Sequence, residues 1–314
     1  SPDSTGPMQF PPDKLLPFLK SADKWRRIYG KNKPVYLGGL GRETALTYLQ
    51  ELGKAGGLDF MTGVNVRLDV GRLSPEDAGV VAYTRDLRAV LNPPGTKQPR
   101  TILFTDLDWA VERDLGGLDA FDQAAYLARA ALLVDGPDVR SVLELRNTDY
   151  ARLGLGLAYQ RVVSVPPLTE KPAAYQFKPA YWAIAQVRRW LAEAPVGERF
   201  EVADVVPGRT RAVLQGGGGG SAHVIVWRND DAGWLSFAGT GVAVTEARDL
   251  FGATVPEKEG WYPVGKVPCR FTVKAGSEPL AEALVRLVVR DGAEPEWSQR
   301  VLAAFRPEPG GRQK

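Results

Sequence analysis

The 314-residue sequence has almost none of the two side chains that most often hold metals or activate nucleophiles. Its one cysteine, Cys269, excludes a disulfide framework and a cysteine-based metal site. Its one histidine, His223, excludes a His-rich metal centre, and a Ser-His-Asp triad would have to include it. We therefore expect no metal and no cofactor, and we interpret both single residues as structural.

Long apolar runs and an excess of one charge are missing as well. No stretch approaches eighteen unbroken apolar residues, so no transmembrane segment is predicted. The 40 basic and 37 acidic residues give a net charge of +3 and are mixed along the chain, which argues against a nucleic-acid surface. A cysteine-poor chain that begins at Ser1 favours a processed protein in the periplasm or outside the cell. Carboxylate chemistry, binding and scaffolding remain.

Strand-like and helix-like segments alternate through the first part of the chain. Residues 101–104 are continuously apolar, as expected of a strand buried on both faces. Ser74 and Asp77 have the spacing of a capping box ahead of a helix. Alternating strands and helices predict a parallel sheet with right-handed crossovers. The predicted strands are 34–37, 60–68, 101–104 and 139–145, and the helices are 13–30, 43–53, 75–91, 120–134 and 181–194.

The pattern changes near residues 195–197, which divides the chain into predicted domains 1–195 and 196–314. Short alternating stretches separated by turn clusters predict an antiparallel β-sandwich. Glycines 216–220 suit either a flexible linker or a hairpin tip. Helices are expected at 279–290 and 297–305. The predicted strands are 200–205, 210–214, 223–227, 242–245 and 271–273, and Trp227, Trp234 and Phe251 are predicted near the sandwich core, with Gly252 in a turn.

Seven segments carry a resemblance to a known family, at residues 33–40, 101–109, 122–127, 143–149, 154–157, 178–183 and 249–252. In their order and spacing they resemble glycoside hydrolases with a (β/α)₈ barrel followed by a β-sandwich, near the xylosidase/iduronidase-like groups of clan A. Residues 33–40 resemble the family's fifth strand, and residues 101–109 its seventh. Residues 122–127, 143–149, 154–157 and 178–183 match the elements that follow. Residues 249–252 resemble an Asp-x-Phe-Gly turn of the appended sandwich. The resemblance implies an α/β region that forms the C-terminal half of a TIM-type barrel, followed by an all-β sandwich.

The resemblance also places the candidate catalytic position at Asp106. The family has a glutamate nucleophile there, and retaining glycosidases hold their two carboxyl groups about 5–5.5 Å apart, so a shorter side chain alters the geometry. Arg67, at the end of the sixth strand, could pair with Asp106 and lower its pKa. The other predicted ligand-binding residues are Asn65, Asp108, Trp109, Arg146, Asn147 and Asp149.

Each of these residues also has a structural interpretation. Asp106 and Asp108 could cap the next helix, and Trp109 could pack in the interior instead of stacking on a sugar. The arginines, Arg67 and Arg146, could bind an anion or neutralise neighbouring acids. Residues 147–149 could line a pocket at the carboxyl end of the barrel or merely begin a polar loop.

The family's general acid/base is the glutamate of an Asn-Glu-Pro sequence, and no Asn-Glu-Pro occurs in this chain. We therefore predict a glycosidase-like, non-catalytic binding or structural subunit of a larger extracytoplasmic assembly. The alternatives are a retaining glycoside hydrolase whose N-terminal half lies outside this chain, and a carbohydrate-binding protein. A half-barrel would leave two strand edges and one apolar face uncovered, so a protein partner or the missing half should close them. The predicted uncovered residues are Val35, Leu37, Ile102, Phe104, Val142 and Leu145.

Overall fold

The computed structural model describes two compact units. They are Ser1–Trp109 with Val134–Leu145, and Ala110–Leu133 with Arg146–Lys314. Two helices predicted within the first domain, 120–134 and 181–194, thus fall mostly or wholly in the second unit, and the domain boundary near residue 195 stays a prediction. The described residues are 10–30, 33–68, 70–105, 109, 118–134, 139–141, 158–159, 176–177, 179–193, 199–206, 210–216, 221–229, 232–274, 280–284 and 286–292.

The first unit contains a parallel sheet in which strands and helices alternate, as predicted. Its strands lie in the order β1-β2-β3-β4, and every pairing is parallel. Neighbours in sequence are therefore neighbours in the sheet, as expected of β-α-β units. The elements are α1 (Pro12–Tyr29), β1 (Tyr36–Gly41), α2 (Arg42–Lys54), a 3₁₀ turn (Gly57–Phe60), β2 (Gly63–Arg67), α3 (Val80–Leu91), β3 (Thr101–Thr105) and β4 (Val139–Ser141).

The predicted capping box forms, although it does not open the helix directly. The Asp77 amide donates to Ser74 Oγ at 3.1 Å, and the hydroxyl donates to the Asp77 carboxylate at 2.7 Å. Gly79 adopts a φ of 63°, so α3 begins at Val80 and not at residue 75. The left-handed glycine separates the capped turn from the helix.

The two faces of the parallel sheet differ in burial, and our prediction of the uncovered face is wrong for Ile102 and Phe104. Both are fully buried and lie in register with Val64 and Val66, which are also fully buried. The helix α2 contacts β1 and β2 and buries its own apolar residues, so an apolar strand face is covered. Val142 and Leu145 lie outside the described residues.

The opposite face of this sheet is partly exposed, and we call it the polar face. It carries Tyr36, Asn65, Arg67 and Leu103, and the last three alternate with buried residues along β2 and β3. Asn65 and Leu103 are half-buried and lie in register, Arg67 is exposed, and Tyr36 is 36% exposed. The Tyr36 ring lies across β2 at Gly63, its partner in the ladder.

The second unit contains two antiparallel sheets of three or more strands, in the orders β11-β13-β9-β8-β7 and β12-β10-β14. The predicted strands are confirmed, and the Gly216–Ala222 register shows that β8 and β9 form a hairpin across the glycine run. Residues 217–220 themselves lie outside the described residues. The elements are α4 (Ala120–Val134), β5 (Ala158–Tyr159), β6 (Gln176–Phe177), α5 (Pro179–Glu193), β7 (Arg199–Val206), β8 (Thr210–Gly216), β9 (Ser221–Arg228), β10 (Gly233–Ser236), β11 (Ala243–Asp249), β12 (Tyr262–Val264), β13 (Cys269–Lys274), α6 (Leu280–Leu284) and β14 (Val288–Asp291).

The predicted helix at 279–290 is wrong in its second half. The helix α6 ends at Leu284, and β14 pairs with β10 in an antiparallel ladder. Val288 and Val289 are β-branched, and the edge of β10 offers hydrogen bonds that a helix would forgo, so strand pairing overrides the helical pattern. The predicted helix at 297–305 lies outside the described residues.

One hydrophobic core takes side chains from both antiparallel sheets. Trp227 is fully buried, but it lies on the face of β9 opposite Val224 and Val226, which belong to this core. Trp234 and Phe251 are half-buried and also lie outside it, so their predicted placement is only approximate. The core residues are Val224, Val226, Leu235, Phe237, Ala247, Val255, Val264, Cys269, Phe271, Val273, Leu284 and Leu287.

Candidate functional site

The carboxyl edge of the parallel sheet is the predicted site, and the structure describes part of it. Asn65 and Arg67 lie two residues apart on β2 and therefore share the polar face. Arg67 is in register with Thr105, the residue before Asp106 in the sequence, so the ends of β2 and β3 lie side by side. The predicted residues Asp106, Asp108, Arg146, Asn147 and Asp149 lie outside the described residues.

Trp109 is fully buried. Its indole N–H donates to the carbonyl of Leu73 at 2.9 Å, and Leu73 belongs to the loop that follows β2. The ring is therefore part of the packing that holds this loop, in line with the structural interpretation of Trp109. Stacking on a sugar would require the ring to become uncovered, so a ligand-binding role for Trp109 stays a prediction.

Arg42 anchors the same region and was missed by the sequence reasoning. It is the first residue of α2, directly after β1, and its guanidinium donates to the carbonyl of Ala78. Its own carbonyl accepts from the Tyr83 hydroxyl at 3.0 Å, and its guanidinium lies 5.4 Å from the centroid of the Tyr83 ring. Burial raises the pKa of Tyr83 to about 12, so the phenol keeps its proton and acts as a donor. The sequence feature that could have identified Arg42 is its position directly after a strand.

The described side chains of this edge include several hydrogen-bond donors. Asn65 provides an amide, and Arg67 and Arg72 provide guanidinium groups on exposed side chains. Guanidinium groups stay protonated in proteins and donate hydrogen bonds to polar or anionic ligands. Among the described residues, no three His, Cys, Asp or Glu side chains are grouped so that they could hold a metal ion. The helices of the described residues also include none with the length and apolar character of a membrane span.

In the second unit, His223 belongs to a hydrogen-bonded row. Arg270 Nη2 donates to His223 Nε2 at 2.6 Å, and His223 Nδ1 lies 3.3 Å from Thr272 Oγ1. Because a guanidinium can only donate, Nε2 is the acceptor and the imidazole is neutral, with its proton on Nδ1. Arg270 also forms an ion pair with Glu193 at 2.5 Å. This arrangement agrees with the predicted structural role of His223.

We expect the stability of the full chain to fall as the pH is lowered below about 6.5. Burial and then Arg270 lower the pKa of His223 beneath its usual 6.5, while Glu193 and Glu246 oppose the shift. Between the lowered pKa and 6.5, His223 binds more protons in the unfolded chain than in the folded chain, so its titration favours unfolding as the pH falls. Urea denaturation at several pH values should show this loss, and His223→Gln should reduce it. An identical pH dependence in both proteins would contradict the assignment.

The segment 249–252 forms the turn that its sequence predicts. Asp249 is fully buried, and its Oδ1 accepts from the amides of Phe251 at 2.9 Å and Ala253 at 2.8 Å. Gly252 has a φ of 86°, which a side chain would rarely adopt. Burial raises the pKa of Asp249, although the hydrogen bonds from these amides oppose the rise. The role of this carboxyl group is to hold the turn.

Cys269 faces the core, as predicted for a small buried residue. Its side chain is almost fully buried, and its thiol lies 3.7 Å from the Val267 carbonyl. Burial, together with the nearby Asp249, raises the pKa of the Cys269 thiol. The thiolate is the reactive form of cysteine, so this residue is chemically inert at neutral pH.

An aromatic–arginine cluster lies on the three-stranded sheet and was not predicted. Arg290 pairs with Trp234 across β14 and β10. Its guanidinium carbon lies 4.1 Å from the centroid of the Trp261 ring and 5.8 Å from that of Trp234. Cation–π contacts of this kind stabilise a partly exposed surface. They explain why Trp234 packs outside the core.

No protein-family model and no curated protein matches the sequence. The solved structures that are similar to the chain over most of its length include the following three. Eubacterium rectale Amy13B is 10% identical, with a TM-score of 0.48, over 82% of this chain and 63% of that one. The endo-β1,6-glucanase BT3312 is 12% identical, with a TM-score of 0.46, over 85% and 54%. The GH51 arabinofuranosidase from Xanthomonas axonopodis pv. citri is 11% identical, with a TM-score of 0.39, over 82% and 63%.

The chain thus spans between 54% and 63% of the length of these three structures. Their TM-scores lie below 0.5, so the similarities define neither the family nor the activity of this chain.

Proposed function

We propose that the chain is a glycosidase-like, non-catalytic binding or structural subunit of a larger extracytoplasmic assembly. The observation that carries the proposal is the polar face of the parallel sheet. Parallel sheets are generally covered on both faces, yet Tyr36, Asn65 and Leu103 on this face are only partly buried. A partner that covers this face would complete the usual architecture.

The order of the strands supports the same proposal. Among the described strands of the sheet, β1 and β4 are the outer two. An outer strand presents backbone amides and carbonyls along one side, which makes it a template for pairing with another chain. A partner could therefore both extend the sheet and cover its polar face.

The chemistry of the candidate site favours binding over catalysis. Asn65 and Arg67 can donate hydrogen bonds, but neither is a general acid or base at neutral pH. The sequence has Asp106 where the family it resembles has a glutamate, and it lacks Asn-Glu-Pro. That resemblance makes a carbohydrate the preferred ligand class for the polar face.

Native mass and hydrogen exchange provide the first readout of the experiment. Protein isolated without overexpression should elute from a size-exclusion column as a species whose mass, measured by light scattering, exceeds that of the 34.2 kDa chain. The amides of β1 should exchange more slowly in that species than in the purified chain, because a partner covers them. A monomer whose β1 and β4 amides are already strongly protected would contradict the proposal.

Hydrolysis of aryl glycosides provides the second readout. It distinguishes the proposed non-catalytic subunit from the alternative, a retaining glycoside hydrolase. The purified chain should release no aryl alcohol above background, because general acid–base assistance typically contributes about 10²–10⁴-fold to the rate. Turnover that disappears in Asp106→Asn, but persists in the exposed control Asp59→Asn, would instead favour a retaining glycoside hydrolase.

A further inference from the structure

The helix α1 exposes large apolar side chains along one face. Phe18, Trp25, Ile28 and Tyr29, together with Phe10 just before the helix, are between 54% and 68% exposed, and we call these five residues the aromatic stripe. Spacings of three, four and seven place Phe18, Trp25, Ile28 and Tyr29 on one side of the helix. Apolar patches of this kind mark interaction sites.

The opposite face of α1 attaches the helix to its unit. Leu19 and Asp23 are buried there, and α1 contacts α2 and the 3₁₀ turn. The Asp23 carboxylate accepts from Arg26 and from Arg27, each at 2.7 Å. Burial opposes ionisation of Asp23, but these two arginines lower its pKa. The carboxylate therefore stays ionised, and its charge is balanced by the two arginines of the same helix. The stripe is therefore not the face that α1 uses for folding.

Ring contacts hold the stripe together. The Trp25 and Tyr29 rings stack with their centroids 4.8 Å apart, and those of Phe10 and Phe18 are 6.1 Å apart. The backbone carbonyl of Phe10 accepts from the buried Tyr48 hydroxyl at 2.7 Å, which fixes that end of the stripe. The aromatic side chains are thus arranged before any ligand binds.

Charge determines which occupant suits the stripe. The helix has five basic and two acidic residues, a net charge of +3 that equals that of the whole chain. Lys14 and Lys24 are exposed beside the stripe, and Asp13 is the one exposed acid of α1. A second copy of α1 would bring these positive charges together, which disfavours self-association. An anionic surface complements them.

We propose that α1 binds the surface of a bilayer containing anionic lipid. Tryptophan and tyrosine favour the headgroup level, where their rings are apolar and their polar atoms stay hydrated. Lysines beside an apolar helix face attract anionic headgroups. The stripe projects from a single helix, and a fluid bilayer can adapt to projecting side chains, whereas a protein partner would have to provide a matching groove.

The test measures co-sedimentation of the full chain with phosphatidylcholine vesicles that contain or lack phosphatidylserine. The chain should bind the anionic vesicles, and high salt should weaken binding by screening the lysines. Trp25→Ser, and separately Lys14→Glu with Lys24→Glu, should each lower the partition coefficient about tenfold or more. The matched controls are Trp182→Ser, which alters another half-exposed tryptophan, and Lys274→Glu, and both should bind as the parent does.

Circular dichroism and the melting temperature should be unchanged in Trp25→Ser, because the side chain is exposed. Equal binding to both vesicle types, no binding at all, or equal losses in Trp25→Ser and Trp182→Ser would each overturn the proposal. So would a dimer in vesicle-free solution that Trp25→Ser dissociates, because the stripe would then be occupied by a second copy. The outcome is independent of the proposed subunit role, which is tested by native mass and hydrolysis.

Discussion

Trp227→Ala should lower the free energy of unfolding by about 3–5 kcal/mol, as large truncations in protein cores do. Trp227 is fully buried in β9, the middle strand of the five-stranded sheet. Val224, Ile225 and Val226 beside it are fully buried as well, so both faces of this strand are covered. Removal of the indole would leave a cavity that a central strand cannot easily close. Urea denaturation of the full chain, followed by circular dichroism, measures the loss.

The matched control is Trp182→Ala. Trp182 is 49% exposed on α5, and its change should alter the free energy of unfolding by less than about 1 kcal/mol. Because natural domains are stable by only about 5–15 kcal/mol, Trp227→Ala could leave part of the chain unfolded at room temperature. Equal losses in the two variants, or no loss in Trp227→Ala, would show that burial of Trp227 does not contribute as argued.

Gly63→Ala should destabilise the chain by about 1–3 kcal/mol, the usual cost of overpacking. A Cβ at Gly63 would lie 2.6 Å from the Tyr36 ring and would also collide with the carbonyl oxygen of Thr101. The ring could move, but the carbonyl belongs to the neighbouring strand β3 and is fixed by the ladder. The melting temperature and the urea midpoint of the variant should both fall.

Gly38 provides the control within the same sheet. It lies in β1, its φ is negative or extended, and a Cβ there would meet nothing within 4 Å. Gly38→Ala should therefore change stability by no more than about 0.5 kcal/mol, or slightly increase it by restricting the unfolded chain. A larger loss in Gly38→Ala than in Gly63→Ala would contradict the packing at Tyr36.

Local periodicity determined most of the elements of this protein. The apolar run 101–104 becomes β3, and the helical pattern at 120–134 becomes α4 with the same ends. The alternation of strands and helices predicted the parallel order of β1 to β4. The paired positions of Asn65 and Arg67 on one face also followed from the sequence, because side chains in a strand alternate with a period of two.

Only the tertiary structure decided which face of each strand is covered. Ile102 and Phe104 on one side of β3 and Leu103 on the other are all apolar, and only the structure shows that the side of Ile102 and Phe104 is the covered one. Residues 288–290 were predicted as helix, but they pair with β10 in a ladder. Trp227 is buried as predicted, and only the structure shows that it lies on the face of β9 opposite Val224 and Val226. Periodicity is a property of a few neighbouring residues, whereas burial depends on segments distant in sequence, and those contacts exist only once the chain has folded.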